Sequence, residues 1–248
     1  MSQAGAYLYG FTERGFQPPP DLRGLRGAPV EVIGFADLAA VVSDHPVQRL
    51  MPARSNVEPH HRVVRQVSSQ AALVPAAFGH VGDSQADILA VLRGNYDEIR
   101  QEVARLAGKC EMGMKVTWNV ANIFDHLVRT NRELRDARDR IYRGREPSMN
   151  EKLQLGAQLE ATLTAERQRL TPVILSAFQQ IASDVFDTPP RAEKTICQKA
   201  LLVERHRLGE FETAMRHALT LFDASVAFEY TGPWPPYSFV KLRLRAVN

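Results

Sequence analysis

Cysteine is scarce in this sequence. Cys110 and Cys197 are the only two in 248 residues. They are too few for a disulfide scaffold and lack the paired spacing of a zinc site, so both read as reduced, small apolar residues in or near strands. Long apolar runs are missing as well. Nothing approaches the roughly 20 apolar residues that a membrane span needs. Residues 1–11 show no basic stretch followed by an apolar one, so no secretory leader is expected and a cytoplasmic protein is. Charge of one sign is also in short supply: 31 Lys and Arg stand against 28 Asp and Glu, a formal surplus of +3. Nucleic-acid binders usually gather more basic charge on one face, which puts that class and membrane association outside the expected partners.

Catalytic signatures are absent too. Gly79-His80-Val81-Gly82 has glycines but no Lys-Ser/Thr and no G-x-G-x-x-G frame, so it is no phosphate loop. Neither H-E-x-x-H nor G-x-S-x-G occurs. His60 and His61 are adjacent, and neighbours on a helix point about 100° apart, so they do not readily share a metal; solvated or capping roles are expected. Cys110 lies beside Glu111, whose charge disfavours a thiolate. The sequence therefore offers no catalytic, cofactor-binding or metal-ligating residue, and a non-enzymatic protein is expected.

What is present reads as α+β. Ala6–Gly10, Val30–Phe35 and Leu38–Ser43 are rich in β-formers, while Gly15–Gly27, with Pro18-Pro19-Pro20 inside it, has to be a loop. Val57–Ala72 has the spacing of a short amphipathic helix. Ser84 and Asp87 form a capping box ahead of a helical pattern from Ile88 to Leu106, with Gly108 as its stop. Met112, Met114, Val116 and Trp118 alternate with polar residues, as on a half-buried strand.

Ile123, Leu127, Thr130, Leu134, Ala137 and Ile141 keep heptad steps through a surface of paired charges from Arg129 to Arg145. A second capping box, Ser148 with Glu151, opens another helix whose apolar stripe runs to about Phe186. Together these predict a long helical hairpin over about 121–187. A strand at Thr195–Val203, a short helix at Phe211–Phe222 and strands at Val226–Tyr230 and Val240–Leu244 follow. The expected division is an N-terminal α+β domain, 1–120, and a C-terminal α+β domain, 121–248, that carries the hairpin.

One segment is unusual in composition. Tyr230-Thr231-Gly232-Pro233-Trp234-Pro235-Pro236-Tyr237-Ser238-Phe239 joins three prolines and a glycine to four aromatics. A stiff backbone with large rings suits a binding surface, because little freedom is lost on contact. It equally suits a rigid connection that covers the edge of a core. Trp234-Pro235 and Pro235-Pro236 are candidates for a cis bond. Tyr230, Trp234, Tyr237, Phe239 and, from the Val74–Gly79 block, Phe78 are the candidate protein-interaction residues.

Gly232-Pro233-Trp234-Pro235-Pro236-Tyr237-Ser238-Phe239 resembles the C-terminal signature of the GvpL/GvpF family of gas vesicle proteins. Tyr7-Leu8-Tyr9-Gly10, Leu38-Ala39-Ala40-Val41-Val42-Ser43, Val74-Pro75 with Phe78-Gly79, and Gly108-Lys109-Cys110-Glu111 resemble further blocks of that family in the same order. The resemblance implies two domains with ferredoxin-like sheets and a coiled-coil-like helical part, and no catalysis. It implies an accessory role in gas vesicle assembly at the vesicles. The partner would be the hydrophobic shell protein GvpA, kept from aggregating or delivered to the growing wall, with other gas vesicle accessory proteins as further partners. A scaffold for other accessory proteins is the alternative, and a nucleic-acid-binding regulator a lesser one.

Overall fold

The structure is a computed structural model that describes residues 4–144 and 146–245. Nine β-strands and seven α-helices form two sheets and their covering helices among these residues. By contact density the chain makes two units, and neither is one continuous stretch. Among the described residues, the first holds 4–112, 202–206 and 232–245; the second holds 113–144, 146–201 and 207–231. This differs from a single division at 120, because the chain after Thr231 packs with the first unit rather than with the residues that precede it.

In the first unit, β1 (Ala4–Glu13), β2 (Val30–Phe35), β3 (Leu38–Pro46) and β4 (Leu73–Pro75) lie in the order β2-β3-β1-β4, with the short β5 (Val81–Gly82) also paired to β1. The pairings are antiparallel, and a bulge between Leu8 and Gly10 shifts the register of β1 against β3. Leu38 through Ser43 are all buried, the pattern of a strand covered on both faces rather than of an alternating one. The helices responsible are α1 (Arg54–Gln70), α2 (Gln85–Gly94) and α3 (Tyr96–Leu106). The predicted single helix behind Ser84 is two, because the chain leaves helical geometry at Asn95 (φ −124°, ψ 27°). The Asn95 side chain is buried and bonds the carbonyl of Val91 and the amide of Arg245. The proline-rich segment between β1 and β2 is a loop with one 3₁₀ turn, Leu25–Gly27. It occupies the place in chain order where a ferredoxin-like unit has its first helix.

The second sheet has the order β7-β8-β6-β9, built from β6 (Lys109–Trp118), β7 (Ala182–Thr188), β8 (Thr195–Glu204) and β9 (Val226–Trp234). Helices come between β6 and β7, and α7 (Leu208–Thr220) between β8 and β9. That is the βαββαβ order with ferredoxin-like strand placement. β6 alternates buried and half-buried residues along its whole length, as its sequence predicts. Cys110 and Cys197 are buried in β6 and β8, and burial raises both thiols, Cys197 to about 11.

The predicted hairpin over 121–187 does not form as two uninterrupted limbs. Its first limb is two helices, α4 (Ile123–Thr130) and α5 (Arg132–Ile141). Asn131 separates them with extended geometry (φ −110°, ψ 117°), its side chain accepting the amide of Leu134. Apolar spacing survives such a break because it reports which face is buried, not whether every residue is helical. Of the charged run, Arg132 pairs with Asp136 at 3.7 Å, and Arg138 with Asp139 at 2.5 Å; Arg145 lies outside the described residues. The second limb, α6 (Met149–Ser176), opens on the complete Ser148–Glu151 capping box. It stops at Ser176, and residues 182–188 are the edge strand β7, not helix. Replacing Asn131 by Ala removes a cap and should cost about 1 kcal/mol, read as a lower urea midpoint with unchanged slope.

Candidate functional site

Helix α1 organises the distinctive part of the first unit. His60, Val63, Val64 and Val67 recur at helical spacing and are buried, and the three valines join a core with Tyr7, Tyr9, Leu25 and Val41. His60 thus lies fully inside, which corrects the solvated or capping role expected for it. His61, one residue on, is exposed.

The His60 ring sits at the centre of a cage. It stacks on Tyr9 at 5.8 Å and meets the edges of Tyr7 and Phe78, each at 5.7 Å. Its Nδ1 is 2.9 Å from the Tyr7 hydroxyl and its Nε2 is 3.0 Å from the Tyr237 hydroxyl. The Tyr7 hydroxyl already accepts the Gly79 amide at 3.0 Å. A neutral imidazole completes this chain: Tyr7 donates to Nδ1 and Nε2–H donates to Tyr237. A protonated ring would leave the buried Tyr7 proton without its acceptor. Burial, reinforced by His61 and His80, lowers His60 to about 4. Burial likewise raises Tyr7 to about 12 and pushes Tyr237 above the usual phenol range.

Tyr237 belongs to the aromatic-proline segment, which is held at many points. Ser238 donates its amide and hydroxyl to the Glu111 carboxylate, at 2.8 and 2.9 Å. The Lys241 amide donates to Glu102 at 2.7 Å, so the alternation at Val240–Leu244 produces no strand. Arg105 donates to the Phe239 carbonyl. Burial raises the Glu102 carboxyl, but Arg105 and that Lys241 amide outweigh it and hold the group below its ordinary value. Pro235, Pro236 and Phe239 are buried. The cis bond in this segment is Gly232–Pro233, not Trp234–Pro235 or Pro235–Pro236.

The five candidate residues therefore divide. Phe239 is an anchor in the interior, and Tyr237 and Phe78 are half-buried around His60. Trp234 remains 39% exposed, with the Arg65 guanidinium 5.2 Å above its ring. Tyr230, 46% exposed, belongs to the second unit, against Phe211 at 5.7 Å.

Between α1 and Gly232–Pro235 runs an open groove of about 1100 Å³. Arg54, Arg62, Arg65 and Arg205 line it together with Trp234, and Glu58 is its one carboxylate. These arginines form no recognised motif in the sequence. The signal lay in α1, where Arg54, Glu58, Arg62 and Arg65 fall three or four residues apart opposite the buried valines. Nothing in the sequence pointed to Arg205, 140 residues after Arg65. Among the described residues no group of three His, Cys, Asp or Glu could hold a metal, and no helix is long and apolar enough to cross a membrane.

Comparison with known proteins agrees over the whole length. The structure superimposes on the crystal structure of the gas vesicle protein GvpF from Anabaena sp. PCC7120 with a TM-score of 0.84, at 22% identity, covering 97% of this chain and 99% of that one. The GvpF structure from Microcystis aeruginosa gives 0.79, also at 22% identity. In sequence, gas vesicle protein F of Dolichospermum flosaquae is 24% identical over 95% of this chain and 97% of its own. That of Streptomyces sp. (strain CB03234) is 27% identical over 95% and 99%. Residues 5–241 match the family described as gas vesicle synthesis protein GvpL/GvpF, which is a family of gas vesicle accessory proteins and not a known enzyme family; the chain belongs to it.

Proposed function

We propose that the protein is a non-enzymatic assembly factor that binds the gas vesicle shell protein GvpA in the cytoplasm, at the growing vesicle, and keeps it from aggregating before it joins the wall. The observation that carries this reading is the exposure of Trp234 within a segment whose Pro235, Pro236 and Phe239 are buried. The rigid, many-bonded backbone of Gly232–Phe239 holds the Trp234 ring at the surface, next to a groove. Such a ring makes contact at low entropic cost. A subunit with apolar faces and open strand edges needs cover of this kind during assembly.

Co-purification of the tagged protein with co-expressed GvpA tests it. Retention at both low and high salt is expected, since the aromatic contact is apolar at its centre. Trp234→Ala should cut recovery at least tenfold while the far-ultraviolet circular dichroism stays unchanged, because the side chain is a surface one. Equal recovery with the variant would remove this surface from consideration.

A further inference from the structure

We infer that the groove beside Trp234 is a docking site for an extended acidic segment of a partner polypeptide, about seven residues long, with one large apolar side chain placed on the tryptophan. The inference rests on the proposal that this surface binds an assembly partner, and it names the chemistry of the bound segment.

Charge is the first argument. The whole chain carries a surplus of only +3, yet four arginines face this one groove against the single Glu58. The concentration is local and does not reflect a basic protein. Arg54 is the one that Glu58 partly answers, at 3.5 Å. Among the described residues no carboxylate lies within ion-pair distance of Arg62, Arg65 or Arg205. Arg62 and Arg65 are exposed on α1. Arg205 is held in place: its amide donates to the Gly108 carbonyl at 2.8 Å and its guanidinium to the Ser68 hydroxyl at 3.1 Å. A cation fixed in this way has lost its freedom before any partner arrives.

Residue type is the second. All four cations are arginine, whose planar fork takes a carboxylate with two parallel hydrogen bonds, and none is lysine. Arg65 over Trp234 joins the cationic and the aromatic surfaces, so one ligand can use both.

Length is the third. The stripe on α1 from Arg54 to Ser69 spans about 22 Å at 1.5 Å per residue. An extended peptide covers that in about seven residues at about 3.3 Å each. A single-stranded nucleic acid shares the anionic chemistry. Such a ligand is ordinarily held by a succession of stacking rings, whereas this groove offers one, Trp234.

The test is fluorescence anisotropy with a fluorescein-labelled heptapeptide of glutamates around one central phenylalanine. Comparison probes are its lysine and glutamine counterparts and a labelled eight-nucleotide oligothymidylate. The glutamate peptide should bind at least tenfold more tightly than the other three and weaken as salt rises. Arg62→Glu with Arg65→Glu should lower that affinity at least tenfold; both sites are exposed, so the fold should survive. Arg138→Glu with Arg140→Glu, a charge reversal of the same size far along the chain, should leave it within twofold. Equal binding of the glutamate and glutamine peptides, or tighter binding of the oligonucleotide, overturns the inference. If the glutamate peptide fails to bind while GvpA still co-purifies in a Trp234-dependent way, the acidic-segment inference falls and the proposed function stands. If GvpA does not co-purify with the wild-type protein either, both fall.

Discussion

His60→Ala should lower the stability of the protein by about 3 kcal/mol at pH 7.5, and should also flatten its response to acid. The side chain is fully buried among Tyr7, Tyr9 and Phe78. Removing it leaves a cavity, and it leaves the interior Tyr7 hydroxyl without its acceptor; each typically costs a few kcal/mol. It also cuts one tie between α1 and the segment that carries Trp234, the Nε2 to Tyr237 bond. The acid response follows from the depressed ionisation. In the unfolded chain the ring titrates near 6.5, and in the folded protein at about 4. Above pH 6.5 neither state holds the proton, and the full stability is present. Between about 6.5 and 4 the unfolded chain binds a proton that the folded one does not, so stability falls as pH falls. That window is worth on the order of 3 kcal/mol. Urea unfolding at pH 7.5 and 4.5 measures both effects. The wild type should lose far more between the two pH values than the variant does. Equal losses would mean that His60 does not govern the acid limb.

Gly24→Ala should be the more damaging of two glycine substitutions that look alike in sequence. A Cβ at Gly24 would stand 2.0 Å from the Tyr9 hydroxyl and 3.0 Å from that of Ser43. Tyr9 is fully buried, and its hydroxyl bonds Ser43 at 2.9 Å and accepts the Leu25 amide at 2.8 Å. One methyl group therefore displaces a large interior ring and breaks two buried hydrogen bonds. A loss of about 4 kcal/mol is expected from overpacking and unsatisfied polar groups together. Gly156→Ala is the contrast. It lies within α6 with nothing near its would-be Cβ, and it should gain up to about 1 kcal/mol from better helix propensity. Thermal unfolding of the pair gives the comparison; a Gly24 variant that melts with the wild type would mean that Tyr9 has room to move.

Several elements needed nothing beyond their own residues. β6 alternates in sequence and alternates in burial, because a strand with one face on the core has no other way to place Met112, Met114, Val116 and Trp118. Ser148 and Glu151 announce the start of α6 through local hydrogen bonds alone. The α+β class was legible from elements of this kind. The GPWPPYSF run was legible as a stiff aromatic segment, and so was the family it resembles.

The rest depended on partners distant in the chain. β7 carries apolar residues that equally suit the end of a helix, and pairing with β8 is what makes it a strand. Asn95 and Asn131 end helices whose apolar spacing runs on unbroken, since their side chains and backbones find bonds that periodicity does not encode. Val240–Leu244 alternates but forms no ladder, because the Lys241 amide goes to Glu102. His60 is interior only because Tyr7 and Tyr237, 53 and 177 residues away, supply the bonds a buried imidazole needs. Composition and local spacing thus determined the class, most elements and the aromatic segment. Tertiary structure alone decided which of that segment's rings anchor and which stay exposed, and it alone brought Arg205 to the arginines of α1, because burial and charge clustering belong to three-dimensional neighbours and not to neighbours in sequence.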